Sequence, residues 1–171
     1  MNRSAATVRA QEEFVQATEA GVEAGAQLAR DEGATVSEAQ VEAAKRGARN
    51  ALEQRFRRDP DTDLTTEQVR AAARGATHGV LLQSEDATAG DVRWVVEGSA
   101  NGAMATARGT EVGMQAAAYG AAHGSVARDG RATGRQLRKV SIGAASGATK
   151  GEAQYGVTAP ERIKQIGRAH V

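Results

Sequence analysis

Cysteine is absent from this chain, which excludes disulfides, thiolate metal sites and a cysteine nucleophile, and suits a reducing compartment. Proline is nearly absent. Pro60 and Pro160 are the two present, both at junctions between candidate helices, where a helical chain tolerates them. Aromatic residues make up 3% of the 171 residues, namely Phe14, Phe56, Trp94, Tyr119 and Tyr155, so any core must be thin and built from small side chains in close contact. No charge sign dominates either. Lysine plus arginine number 22 against 21 acids, a balance that gives no net field to steer the chain to nucleic acid or acidic lipid. No apolar run reaches the roughly 18 residues of a spanning helix. The nearest stretch, Gly113 to Ala127, contains Gln115, His123 and Ser125. The start, Met-Asn-Arg-Ser-Ala-Ala-Thr-Val-Arg, has no apolar segment of the kind a secretory signal requires. These absences predict a soluble, cytoplasmic protein with no transmembrane segment and no nucleic-acid partner.

What the chain has instead is glycine and alanine, arranged with a period. The segments Gly21-Val-Glu-Ala-Gly25, Gly47-Ala-Arg-Asn-Ala51, Gly75-Ala-Thr-His-Gly79, Gly98-Ser-Ala-Asn-Gly102, Gly120-Ala-Ala-His-Gly124 and Gly143-Ala-Ala-Ser-Gly147 repeat one pattern, their first glycines 26, 28, 23, 22 and 23 residues apart. Such self-similarity is the signature of a repeat array. Ten residues before the first glycine of each later unit stands a helix N-cap residue: Ser37, Thr65, Thr88, Thr110 and Thr133. Three residues after the cap come Gln40, Gln68, Asp91, Gly113 and Gln136, so three units carry a full capping box. One residue further on come Val41, Val69, Val92, Met114 and Leu137. Cap, box, apolar residue and small-residue pair share one frame.

The frame predicts an all-α fold: an antiparallel helical repeat array, a bundle or short α-solenoid, of about six helices. The spans are Ser4 to Ala29, Ser37 to Arg57, Thr65 to Gln83, one beginning at Thr88, Thr110 to Ala127, and Thr133 to Glu152. Asp31-Glu-Gly33 supplies a glycine stop, and Ser84 to Gly90 and Arg128-Asp-Gly130 supply junctions. The first helix fits the frame least, as a capping unit does. Val92, Trp94, Val95 and Val96 form the bulkiest cluster and are expected near the centre of the core. Asp59-Pro-Asp-Thr-Asp63 alternates aspartates as a calcium loop does, but Leu64 and Arg70 stand where that loop needs glycine and glutamate, which leaves a turn and a helix cap.

A glycine inside a helix costs about 1 kcal/mol relative to alanine. Eleven of them in the frame cost on the order of 10 kcal/mol, comparable to the net stability of a domain, so something must offset them. Glycines four apart share one helical face and leave a notch without side chains, into which another helix can approach closely. The structural notch residues are Gly75, Gly79, Gly98, Gly102, Gly120, Gly124, Gly143 and Gly147. If successive helices run antiparallel, the midpoint alone keeps its height, so the notches are expected where neighbours along the chain cross. Close flanking charges, Arg74, Glu97 and Arg108, favour packing in water over pairing within lipid. On this reading Gly98→Leu disrupts packing far more than Ala100→Leu.

A polar residue precedes the second small residue of five units: Asn50, His78, Asn101, His123 and Ser146. In the plain reading these side chains bond to one another or to water at the crossing layer; in the sharper one, His78 and His123 are weak candidates for a metal or anion site. Two histidines fall short of the three or four protein ligands such metal sites use. No nucleophile elbow, Walker loop, dinucleotide fingerprint or zinc motif is present. The sequence thus yields no catalytic, cofactor-binding or metal residues and predicts no enzyme.

Helical units of the form Gly-Ala-x-x-Gly with Thr-x-x-x-Val starts, here from Ser37 to Gly151, resemble those of uncharacterised bacterial Ala/Gly-rich α-helical repeat proteins that carry a domain-of-unknown-function label. The resemblance implies a helical array and transfers no catalytic residue. Residues 1–157 are read as a single helical-repeat domain, and 158–171 as the start of a truncated further helix from Thr158-Ala-Pro-Glu161, with Arg168 where the frame calls for glycine and Ile163 one place late. The tail Ile166-Gly-Arg-Ala-His-Val171 resembles a translated sequencing adapter and is expected to be non-native, so His170 carries no functional reading. The function these features predict is a non-enzymatic helical-repeat scaffold or protein-interaction module, with self-association as one mode. The alternative is a peripheral coat protein that lays amphipathic helices on a membrane or storage granule.

Overall fold

The computed structural model describes residues 5–83, 87–105, 109–126, 133–155 and 160–169. Within them the chain forms seven α-helices: α1 (Ala5–Asp31), α2 (Glu38–Arg58), α3 (Thr66–Gln83), α4 (Ala89–Ala103), α5 (Glu111–Val126), α6 (Gly134–Tyr155) and α7 (Pro160–Ala169). Arg108, His170 and the junction residues 84–86, 127–132 and 156–159 lie outside the described residues.

Helices α2 to α6 start where their caps dictate. The Ser37 hydroxyl accepts from the Gln40 amide while the Gln40 side chain accepts from the Ser37 amide, and Thr65 with Gln68 and Thr133 with Gln136 close the same reciprocal pair. Thr88 and Thr110 cap singly, through the amides of Asp91 and Gly113. The box glutamines do more than cap. The Gln40 side-chain amide donates to the Ala87 carbonyl at 3.2 Å and that of Gln68 to the Gly109 carbonyl at 2.8 Å, so a box on one helix ties down the residue preceding the cap two helices later. The α1 stop is Gly33, whose φ of 97° is the left-handed conformation that favours glycine.

Consecutive helices reverse direction. Glu23 pairs with Lys45 and Glu19 with Arg49, and Phe14 near the start of α1 meets Phe56 near the end of α2, an antiparallel correspondence. The most extensive contacts, however, join helices two apart: α1 with α3, α3 with α5, α5 with α7, α2 with α4, and α4 with α6. The array is therefore two layers, α1, α3, α5 and α7 in one and α2, α4 and α6 in the other, with parallel helices within each layer.

The glycine notches hold the helices of each layer together. A Cβ placed on Gly21, Gly25, Gly47, Gly75, Gly79, Gly98, Gly102 or Gly120 would lie within 2.5 Å of a backbone carbonyl oxygen, that of Arg70, Arg74, Arg93, Gln115, Tyr119, Arg138, Ile142 and Lys164 respectively. Real Cβ atoms essentially never come under 3.0 Å, so these helices touch backbone to backbone. The partner differs from the expected one: each notch meets the helix two places on, not its neighbour along the chain. Parallel helices repeat the frame at constant height, so a first glycine always finds the carbonyl five residues before the corresponding position on its partner. Notches need no shared midpoint for this.

The core between the layers is aliphatic and small. Of the apolar residues four places after the caps, Val41, Val69, Val92 and Met114 are buried and Leu137 is half-buried; Val22, Val80, Leu81, Val95, Val96 and a ladder of alanines are also buried. Trp94 is half-buried on the outer face of α4, outside the core where the sequence reading put it; Val92, Val95 and Val96 alone turn inward. Ala100 is 1% exposed, so it offers no neutral comparison for Gly98. α7 joins the odd layer with its frame one residue late: Ile163 is fully buried and Gly167 fits against Ala117, Gly120 and Ala121 of α5.

Gly143 is the exception. It is exposed, and a Cβ there would meet nothing within 4 Å. The same substitution should therefore have opposite signs at equivalent positions. Gly75→Ala should destabilise by about 1–3 kcal/mol because Gln115 backbone must move, whereas Gly143→Ala should stabilise by about 0.5–1 kcal/mol through helix propensity; thermal melts of the two variants test this.

Candidate functional site

Two polar clusters sit on the outer faces, one per layer, and both grow from the repeat frame. The residue just before a first glycine faces the residue five before the corresponding position two helices on. Arg74 donates through Nε to Gln115 Oε1 at 2.9 Å, Arg138 donates through Nε to Glu97 Oε1 at 2.9 Å, and the Lys164 ammonium lies 4.5 Å from the Tyr119 ring centroid. These side chains flank the notch and finish the backbone contact with a polar or cation–π clasp.

On the odd layer, Tyr119 lies between the two histidines, 4.7 Å from His78 and 5.5 Å from His123 between ring centroids, with the Arg168 guanidinium 5.7 Å from its ring. Glu32 at the end of α1 hydrogen-bonds His78 Nε2. The tyrosine ring thus separates His78 from His123. Among the described residues no three His, Cys, Asp or Glu side chains come together in a way that could hold a metal ion. Burial, aided by the charge of Arg168, holds His123 below the usual histidine pKa, with a backbone hydrogen bond at Gly79 acting the other way. His123 Nδ1 is buried without a hydrogen-bond partner among the described residues.

On the even layer, five side chains from three helices form one network. Gln54 of α2 donates from Nε2 to Glu97 Oε1 at 2.6 Å and accepts at Oε1 from Asn101 Nδ2 at 2.8 Å and from Arg138. Arg55 Nη2 donates to Asn101 Oδ1 at 2.9 Å. Glu97 is 3% exposed and its charge is met by Arg138. Burying a carboxylate is costly unless it is paired and hydrogen-bonded, and here one oxygen is satisfied by two donors while Oε2 has none among the described residues.

Beside this network an open groove of about 670 Å³ runs between α2, α4 and α6, lined by Asn50, Gln54, Arg93, Trp94, Glu97, Arg135, Gln136, Arg138 and Lys139. The Arg93 guanidinium sits 4.8 Å from the Trp94 ring centroid. A Cβ on Gly134 would collide with the indole, so the start of α6 packs directly on Trp94.

The polar column read from the sequence therefore divides between layers. His78 and His123 meet through Tyr119 on the odd side; Asn101 joins the Gln54 network, Asn50 lines the groove, and Ser146 is half-buried on α6. Of the predicted notch residues, Gly75, Gly79, Gly98, Gly102 and Gly120 are sealed by a neighbouring backbone, Gly143 is bare, and Gly124 and Gly147 are half-buried. Sequence reasoning missed Gln54, Arg93, Arg135, Arg138 and Lys139. The frame held a signal, since Arg70, Arg93, Gln115 and Arg138 all stand five residues before a first glycine. Comparison with protein-family models, curated proteins and solved structures finds no match to this chain.

Arg138→Met should destabilise by about 3 kcal/mol, because it leaves a buried carboxylate unpaired, and Glu97→Gln in the same chain should recover much of that loss; chemical denaturation of the two single variants and the double variant measures both. Because His123 has a folded pKa below its unfolded value of 6.5, the unfolded chain binds the proton first as pH falls. Stability should therefore decline as pH drops from about 6.5 toward the folded pKa and level off below it. Denaturation midpoints against pH should lose that component in His123→Gln.

Proposed function

We propose that this protein is a non-enzymatic helical-repeat scaffold whose interaction edge is the outer face of α6, where it receives one further even-layer helix. The observation that carries this reading is the bare notch at Gly143. In α2 and α4 the corresponding glycines, Gly47 and Gly98, are covered by the backbone of the next even helix, and in α6 the same position stands open. The contact such an edge makes is already present within the fold: a parallel helix with a carbonyl over the first glycine and small residues, such as Ser141 and Ala145 on α6, beside it.

The opposite edge is unsuited to this contact. At the positions of Ser141 and Ala145, α2 carries Lys45 and Arg49, tied to Glu23 and Glu19 of α1 at 2.7 and 2.9 Å. Charged side chains there close that end, as polar capping units do in repeat proteins. Copies of the chain therefore do not stack head to tail, and pairing of copies sets α6 against α6 across a two-fold axis, antiparallel and outside the parallel frame, because the α6 carbonyls at Arg138 and Ile142 already cover α4.

The coat-protein alternative draws less support. No described helix is long and apolar enough to cross a membrane. Val112 is the one large apolar side chain exposed among the described residues, at 55%, so the helices use their apolar faces on one another. Lying on lipid would require the layers to come apart.

Gly143→Leu fills the notch without touching the core, so its melting temperature should stay at or above that of the parent. Sedimentation velocity over a concentration series, and titration with a synthetic peptide of residues 133–155 as a surrogate even-layer helix, should show binding by the parent and none by the variant. Parent protein that stays monomeric and ignores the peptide would remove the proposal.

A further inference from the structure

The even-layer groove carries a charge excess that the fold does not use. Four cations line it, Arg93, Arg135, Arg138 and Lys139, against the single carboxylate of Glu97, and that carboxylate already takes Arg138 at 2.9 Å. Arg93, Arg135 and Lys139 form no ion pair among the described residues. Surface cations are ordinarily solvated and spread apart; these three come from two helices and share one concavity.

The walls are fixed as well as charged. Arg93 is held against the Trp94 ring, and its Nε is buried without an acceptor among the described residues. Trp94 is pinned in turn by Gly134, where even a methyl group would strike the indole. Arg138 is anchored to Glu97 and Gln54. A guanidinium that is already positioned loses little freedom on meeting an oxyanion, and arginine forks match phosphate oxygens two at a time. The side-chain amides of Asn50 and Gln136 add neutral donors on either side. At about 670 Å³ the groove has the size of a small-molecule site.

We propose that this groove is an anion-binding site for a polyphosphate group, either a free phosphate chain or the phosphates of a nucleotide. One phosphate faces Arg93 on α4 and a second faces Arg135 and Lys139 on α6, which is why a chain of at least two phosphates fits the spread of charge better than a single ion. The groove does not include Gly143, although Lys139 stands one turn before it on the same face of α6.

Trp94 is the sole tryptophan of the chain, so its fluorescence reports on the groove alone. Pyrophosphate and ATP are titrated into the intact protein with ionic strength held constant by sodium chloride. Each should give a saturable change in Trp94 emission. Arg135→Ala with Lys139→Ala, both at exposed positions, should weaken binding about tenfold or more, the loss expected for charge-assisted hydrogen bonds, with an unchanged melting temperature. Lys139→Gln alone should weaken it to a lesser degree. Arg57→Ala, outside the groove and paired with Glu53, should bind as the parent does. ATP binding tighter than pyrophosphate identifies a nucleotide as the ligand; equal or weaker binding identifies the free phosphate chain. The proposal is overturned if neither probe gives a response beyond that of chloride, if the double variant binds like the parent, or if Arg57→Ala weakens binding as much as the groove variants do.

Discussion

The fold depends on one steric condition: a helix backbone can rest against another helix backbone only where Cβ atoms are missing. Eight glycines between Gly21 and Gly120 meet that condition, each opposite a carbonyl oxygen. The approach is close enough for glycine Cα–H groups to face those oxygens, a weak attraction that recurs where helices cross tightly. It also removes the need for bulky core residues. With aromatics at 3%, the chain obtains contact by shortening the distance between helices, and valine and alanine suffice to fill what remains.

From that contact the polar features follow in register. Because the partners within a layer run parallel, the same two frame positions face each other in the three successive pairs from α3 to α7. Chemistry varies there without disturbing the backbone: arginine with glutamine, glutamate with arginine, tyrosine with lysine. The box glutamines act likewise at the helix starts, each fastening a loop two helices away. The outer faces are thus where the chain differs from unit to unit, and where a ligand or partner finds something specific. The inner faces are nearly uniform.

Much of this was readable from the residues alone. Ser37, Thr65, Thr88, Thr110 and Thr133 cap their helices as the spacing said, and Gly33 ends α1. What the sequence could not give was the partner of each notch, because a pair of glycines four apart declares a bare face and not which helix will meet it. Packing against the adjacent helix and packing against the next-but-one both satisfy the pattern. The choice is made by geometry that has no sequence signature, namely that parallel helices keep their frames aligned over their whole length and antiparallel ones at a single height. Trp94 was misplaced for a related reason: its bulk suggested the core, yet α4 turns its valines inward and leaves position 94 to the side. The groove was invisible because Gln54, Trp94 and Lys139 are far apart along the chain and are joined only by stacking of the even layer.

Interleaving has a genetic corollary. Excising one helix would move every later helix to the other side of the sandwich and reverse it, yet helices two apart beyond the excision would remain two apart and keep their frames, so only the contacts that span the excision change. Excising or duplicating two leaves each remaining helix on its own side and in its own direction. Length can therefore change at one seam while the rest of the array keeps its contacts, and what must match across the new seam is the outer-face chemistry of helices that have become next-but-one neighbours.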